Sequence, residues 1–383
     1  MYTTKKMKAK PTPELDALAH EAGRVYSKVV SLIRKIKRKK GFWLSEKSVK
    51  KYMRLRGYNL HSQTVQAIIE SYFDSLKSYF QVVKSNPDAK PPKRTPKFFK
   101  VRWKSSAISL KDGILKLSNG KGGPPITLQS TFLPVYVEMY FQRGRYYFSL
   151  VYKVHTPPKR DTGKAVAIDM GEIHPIVSHD GEKTIIYNGR FIRALRQYLN
   201  KVKSHFQAQM DRCKQRSNRW YQLRRIKNKI LAKLNAQIRD AEHKITSRFI
   251  SDCLKAKADT IVIGDLTGIR ERAKYSKKLN QKIHQWAFAR LQSMICYKAE
   301  LVGLHVKFVS EAYTSQTCPQ CGNRKKPTNR NYHCNHCSFE YHRDGAGAIN
   351  LWNKVSGFLL SPVVGVMASP IGVRFHWHLC KSS

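Results

Sequence analysis

Four cysteines and two aspartates are the residues of this sequence best placed to do chemistry. Cys318 and Cys321, then Cys334 and Cys337, form two Cys-x-x-Cys pairs separated by twelve residues. Each pair is a tight loop able to aim both sulfurs at one tetrahedral ion, with Zn–S bonds of about 2.3 Å. Four protein thiolates leave no coordination position for water, so one zinc here is structural. A disulfide or a redox pair fits less well, because the motif is duplicated and nothing resembles a secretory signal. His333 and His336 flank the second pair, where either could replace a thiolate. Just beyond, the run H-R-D-G-A-G-A-I-N sets Asp344 at the start of a helix with Ala346, Ala348 and Asn350 behind it. Far upstream, Asp169 ends the apolar run A-V-A-I-D-M-G-E, where a buried carboxylate is costly unless a metal or hydrogen-bond donors compensate. Two acids at the ends of a strand and a helix suit a two-metal nuclease, whose ions sit about 3.5 to 4 Å apart around one phosphate. Hard oxygen ligands favour magnesium over zinc at such a site.

The charge balance narrows the partners. Among 383 residues, 72 Lys and Arg stand against 25 Asp and Glu, a formal net charge of +47, while 41% hydrophobic content is ample for real cores. Such a chain repels itself unless a polyanion neutralises it, and nucleic acid is the obvious counterpart. The basic residues are spread along the chain rather than gathered beside an apolar anchor, which argues against a membrane-surface role. The apolar run from Phe358 to Val373 is broken by Pro362, Pro370 and glycines and will not span a bilayer. Cys213, Cys253, Cys296 and Cys380 are scattered, as in a reducing compartment.

The elements that must position these residues follow from periodicity. Residues 1–10 are lysine-rich and read as a first strand or an arm. Residues 11–84 read as helical, with Val65, Ile68, Ile69, Tyr72, Phe73, Leu76 and Phe80 forming a stripe at helical spacing. Within that span Ser31 to Lys40 carries six basic residues in ten, among them Arg34, Lys35, Lys37 and Arg38, candidates for phosphate contact. A proline-rich boundary at 85–96 precedes short strand-like runs at 97–103, 107–110, 114–117, 126–129, 135–141 and 146–154. The turn signals between them have the spacing of a small barrel, and interleaved aromatic and basic residues such as Phe98, Lys100, Arg102 and Trp103 suit stacking and phosphate contacts. From Ala165 three strands are expected at 165–169, 175–178 and 184–187, then a long helical pair broken near Ser217. Between Arg190 and Lys257 there are 19 Lys and Arg against 4 Asp and Glu; Arg224, Arg225 and Lys227 are the candidate nucleic-acid contacts there. A strand at 260–263, a helix at 281–302 and a strand at 306–310 complete an RNase H-like order. Fold order alone does not give function.

Taken together, the A-I-D-M-G strand, I-V-I-G-D-L, A-Y-T-S-Q-T-C-P-Q-C-G, C-N-H-C, H-R-D-G-A-G-A-I-N and the tail P-I-G-V-R-F-H-W-H resemble the TnpB family. These are transposon-encoded, RNA-guided nucleases ancestral to the miniature type V CRISPR effectors. The resemblance implies an α/β multidomain protein, with a RuvC-like nuclease at 161–316 and 339–356 interrupted by a target-binding zinc ribbon at 317–338. A β-barrel wedge domain at 85–160, with its first strand or arm at 1–10, would carry a helical recognition domain at 11–84; a flexible tail would occupy 357–383. The implied activity is Mg²⁺-dependent cutting of target double-stranded DNA, with two catalytic ions, after pairing with a guide RNA from the transposon end and recognition of a short flanking motif. The implied protein is a monomer or dimer on the RNA, in a prokaryotic cytoplasm and associated with the nucleoid.

One position departs from the family. Most relatives carry the second of three catalytic acids, a glutamate, where this chain has Gly264. Some members place that glutamate further along the chain, and Glu311, at the end of V-K-F-V-S-E, is the leading replacement. Asp265 and Glu271 are the other candidates, although strand alternation turns Asp265 away from the face of its neighbour. The expected catalytic and magnesium-binding set is therefore Asp169, Glu311 and Asp344; the alternative is a nuclease-inactive, RNA-guided DNA-binding repressor of the same fold.

Overall fold

The lysine-rich start of the chain is a strand. The computed structural model describes residues 1–95, 97–120, 123–265, 288–327, 329–357 and 371–373, and the chain divides into two units, 1–155 and 156–383. The first unit runs β1 (Tyr2–Ala9), α1 (Pro13–Lys40), α2 (Glu46–Arg54), α3 (Ser62–Ser85), β2 (Val101–Lys104), β3 (Ile108–Lys111), β4 (Ile114–Leu117), β5 (Ile126–Gln129), β6 (Tyr136–Gln142) and β7 (Arg145–Lys153). The span expected to be helical is thus three helices. Thr12 caps α1 and Gly41, at φ +76°, closes it in the left-handed conformation that glycine adopts without strain.

The expected barrel is not formed. Among the described residues the strands make two open sheets, β1-β7-β6-β2 and β3-β4-β5, and neither closes on itself. The reason lies in what covers them. Val101, Trp103, Phe148 and Leu150 share one apolar cluster with Val29, Ile33, Ile69 and Tyr72 of α1 and α3, so helices bury the inner face that closure would otherwise have to bury. A 3₁₀ turn at Ser105–Ala107 carries the chain from β2 into the second sheet, whose strands are only four residues long.

The second unit runs β8 (Ala165–Asp169), β9 (Ile176–His179), β10 (Thr184–Tyr187), α4 (Arg190–Asp211), α5 (Asn218–Lys255), β11 (Thr260–Asp265), α6 (Phe288–Leu301), β12 (His305–Ser310), β13 (Asn331–His333), β14 (Glu340–His342), α7 (Arg343–Ser356) and β15 (Ile371–Val373). Its main sheet has the order β12-β11-β8-β9-β10-β15. Strands β8, β11 and β12 are parallel neighbours, β8, β9 and β10 are antiparallel, and β15 lies parallel to β10. The expected helix start at 281–287, Glu271, and tail residues 358–370 and 374–383 lie outside the described residues.

Strand alternation sorts this sheet into two faces. Val166, Ile168, Ile261 and Ile263 pack with Ile245 and Phe249 of α5 and Leu291 and Ile295 of α6. Ala167, Val262 and Val309 pack instead with Leu351, Trp352 and Val355 of α7. Fully buried Glu242 accepts from Arg196 at 2.8 Å and Arg290 at 2.6 Å, tying α4, α5 and α6 together. Alternation therefore puts Asp169, Gly264 and Glu311, each two residues past a member of the second cluster, on the α7 face.

Candidate active site

The carboxyl group of Glu311 occupies the place of a side chain at position 264. A Cβ added to Gly264 would fall 2.0 Å from Glu311 Oε1, 2.2 Å from its Cγ and 2.4 Å from its Cδ. Register explains the placement: Gly264 on β11 pairs with Val309 on β12, so Glu311 projects from the same face just past the strand end. The neighbouring strand follows suit, because Ile263 pairs with Ile168 and Gly264 and Asp169 come next on their strands. Two side chains of α7 fix the Glu311 segment. Lys354 Nζ donates to the carbonyls of Ser310 (2.9 Å) and Ala312 (3.1 Å), and Asn350 donates to those of Thr314 and Thr317, both at 2.7 Å.

The electrostatics are those of acids short of positive charge. Glu311 Oε1 is buried without a hydrogen-bond partner. Burial, reinforced by the Asp265 carboxylate and only partly offset by Lys354, pushes Glu311 up to about 7. Asp169 is raised well above the ordinary carboxylate range by burial and then by the charges of Glu311 and Asp344, against a smaller opposing effect of Arg343 and the Met170 N–H. Gly347 of α7 permits the helix to approach, since a Cβ there would lie 3.0 Å from Asp169 Oδ2. An orphaned carboxylate oxygen and two acids disfavoured as anions fit a site built around a divalent cation. Their hard oxygens suit magnesium.

Asp344, at the first turn of α7, is drawn into a different group. Its Oδ2 pairs with His174 Nδ1 at 2.9 Å and Arg330 Nη1 at 3.2 Å, and its Oδ1 with Arg343 at 3.4 Å. Burial opposes its ionisation, but His174, Arg343, His342 and Arg330 outweigh burial and hold it at about 2. None of His174, Arg330 or His342 was singled out by spacing: His342 ends β14 two residues before Asp344, whereas His174, in the turn after β8, and Arg330 are brought to Asp344 only by the fold.

The cysteines converge as their spacing requires. Cys318 and Cys337 sulfurs lie 3.6 Å apart and those of Cys321 and Cys334 3.5 Å apart. That is near the edge of about 3.8 Å of a tetrahedron with about 2.3 Å bonds, and far from a disulfide bond of about 2 Å. All four ligand atoms fall within 4.8 Å of one another, so the group can hold zinc. Burial pushes the Cys318 and Cys321 thiols up, whereas at Cys334 the backbone N–H groups of Cys337 and His336 outweigh burial and pull the thiol down; a bound metal would favour the thiolate form of all four. The protein core of this knuckle is small, chiefly Tyr332 and Phe339.

Two family models match this region: residues 149–270 match the model described as "Probable transposase", of the OrfB/IS605 type, and residues 288–351 match the Cas12f1-like TNB domain. A TnpB-like protein of Methanocaldococcus jannaschii is 32% identical over 201 residues, covering 49% of this chain and 72% of that protein. The chain belongs to the TnpB family. The CRISPR-associated endodeoxyribonuclease Cas12f1 of Sulfoacidibacillus thermotolerans is 32% identical over 120 residues, 30% of this chain and 27% of that enzyme. Among solved structures, this TnpB chain resembles Cas12f1 in its cryo-EM complex with guide RNA and target DNA, with a TM-score of 0.55 at 15% identity, covering 88% of this chain and 81% of that one. It also resembles the mini RNA-guided endonuclease Cas_phi3, with a TM-score of 0.51 at 11% identity, covering 97% and 94%. At such identities these likenesses establish a shared α/β multidomain fold.

The basic candidates of this TnpB chain are partly committed elsewhere. Arg34 donates to the carbonyl of Pro92 at 3.1 Å, Lys37 lies 5.8 Å from the Trp43 ring centre, and Lys35 and Arg38 are exposed. In the second unit Arg224 stacks over Trp220 at 5.2 Å, Lys227 donates to Gln207 at 2.8 Å, and Arg225 is exposed.

Proposed function

We propose that this chain is an RNA-guided DNA endonuclease whose RuvC-type site comprises Asp169, Glu311 and Asp344. The single observation carrying the reading is the Glu311 carboxyl seated on Gly264, because it returns an acid to the strand position where most relatives have one. The strand order β10-β9-β8-β11-β12 supports an RNase H-like arrangement, with the acids at the ends of its central strands and the start of α7. Asp169, Glu311 and Asp344 would hold two magnesium ions, which when bound supply an activated water and charge stabilisation at the scissile phosphate. The residues themselves orient this chemistry: Lys354 and Asn350 fix the Glu311 segment, Gly347 lets α7 close on Asp169, and His174 and the arginines keep Asp344 ionised. Sequence would be read by base pairing of target DNA to the guide, with the protein gripping backbone and shape. The exposed cations of α1, α4 and α5 suit that grip, and the cysteine knuckle, holding zinc, would set the approach of the target strand.

The test is to purify the chain with the RNA transcribed beside its gene, sequence the retained RNA, and offer DNA matching it. Cleavage in Mg²⁺ that stops in EDTA and in Asp169→Ala or Asp344→Ala is expected. Guide-matched binding without cleavage in any divalent metal would identify the nuclease-inactive repressor instead, and retention of a random sample of transcripts would contradict both.

A further inference from the structure

One ligand atom each from His174, His342 and Asp344 lies within 4.8 Å of the other two, a second metal-competent group among the described residues besides the cysteines. We infer that His174, His342 and Asp344 form a binding site for a first-row transition cation such as Co²⁺ or Zn²⁺, distinct in ligand chemistry from the all-carboxylate magnesium site. Three observations carry it. The two imidazoles meet edge to face, with ring centres 5.1 Å apart and planes inclined at 63°, and a nitrogen of each lies within 4.8 Å of the other and of an Asp344 oxygen. His342 Nδ1 is buried and has no hydrogen-bond partner, an arrangement that calls for an explanation in a folded protein. And a cation already stands at the spot: Arg330 Nη1 lies 3.3 Å from His174 Nδ1 and 3.2 Å from Asp344 Oδ2.

Two imidazoles and one carboxylate suit cobalt, zinc or nickel, whereas magnesium prefers oxygen and water. His174 and Asp344 are 8% and 12% exposed at their side chains, while Arg330 is 40% exposed. The arginine is therefore the partner able to leave, and it belongs to the loop between the cysteine pairs. Metal and Arg330 are alternatives at Asp344. Binding here would withdraw that guanidinium from the carboxylate and link the knuckle's position to the state of the site. The inference deepens the proposed reading through the shared Asp344 but does not need Glu311 or Asp169.

The experiment is Co²⁺ titration of the full-length protein with zinc retained in its cysteines, followed by visible d–d absorption. Sulfur-to-cobalt charge transfer would expose any exchange at the knuckle. Wild-type protein is expected to gain a sulfur-free cobalt band that persists in Asp169→Asn/Glu311→Gln, weakens at least tenfold in affinity in His342→Gln and in His174→Gln, and tightens in Arg330→Gln. The Arg330 variant keeps the test valid should buried His174 prove necessary for folding, since it predicts a gain. A band unaffected by both histidine variants would overturn the inference, as would its absence from both wild type and Arg330→Gln. Loss of the band in Asp169→Asn/Glu311→Gln would also overturn it, assigning the ion to the carboxylates. Mg²⁺-dependent cleavage, measured separately, decides the magnesium reading whichever way the cobalt result falls.

Discussion

Gly264→Ala adds one methyl group, and the structure says what that methyl meets. Its carbon would lie 2.0 Å from Glu311 Oε1, where ordinary van der Waals separation begins at 3.4 Å, so the Glu311 carboxyl must retreat by more than 1 Å. Displacing a reacting or metal-holding group by about 1 Å costs on the order of 100-fold in rate. The cost to folding should be modest, about 1–3 kcal/mol for overpacking, because the displaced oxygen is buried without a partner. Single-turnover cleavage of guide-matched DNA in Mg²⁺ should therefore fall about 100-fold, while guide-directed DNA binding and the cooperative melt remain. Equal cleavage rates for Gly264→Ala and wild type would mean that Glu311 is not needed where it lies, and the reasoning from this close approach would fail.

Other consequences follow from the same geometry. Because Glu311 is raised from 4.5 to about 7, the folded protein holds a proton there that the unfolded chain releases, so magnesium-free stability should fall as pH rises from 4.5 to about 7. The fall from this group is about 3 kcal/mol; melts in magnesium-free buffer with the cysteine zinc retained should show it in wild type, and a slope unchanged in Glu311→Gln would contradict it. Elemental analysis should find about one zinc per chain, and Cys337→Ser should open the 318–342 segment to protease while the β8–β12 sheet stays protected. Arg224→Gln/Arg225→Gln should weaken RNA retention and lower the slope of log affinity against log salt by about 0.7 for each single-strand phosphate these arginines neutralise; an unaltered slope would remove them from the interface.

How far the chain announced itself varied by element. Runs at 114–117, 126–129, 165–169 and 184–187 are strands at those residues, since turn signals bracket an alternating or apolar run closely. The Cys-x-x-Cys pairs were legible because their chemistry is local. Sheet closure was not: alternation states which face of a strand is buried, whereas the partner at its edge depends on distant segments, here α1 and α3 lying where a barrel wall was expected. The Asp344 surroundings were equally hidden. His174 and Arg330 are separated from it by 170 and 14 residues, and no periodicity joins a turn after β8 to a knuckle loop. The Glu311 expectation drew on the family resemblance and on its place at a strand end; the finding that its carboxyl fills the space over Gly264 needed the register of β11 on β12.

The assignment of Glu311 as the second catalytic acid is decided by Mg²⁺-dependent cleavage in Glu311→Gln, a substitution that keeps the side chain's shape and removes only its charge. With guide RNA loaded and target binding measured on the same preparation, binding should stay near the wild-type level and cleavage should fall at least about 100-fold, the scale expected when one charge-stabilising group leaves an active site. Cleavage at the wild-type rate would contradict the assignment and return the search for the second acid to Asp265 or Glu271.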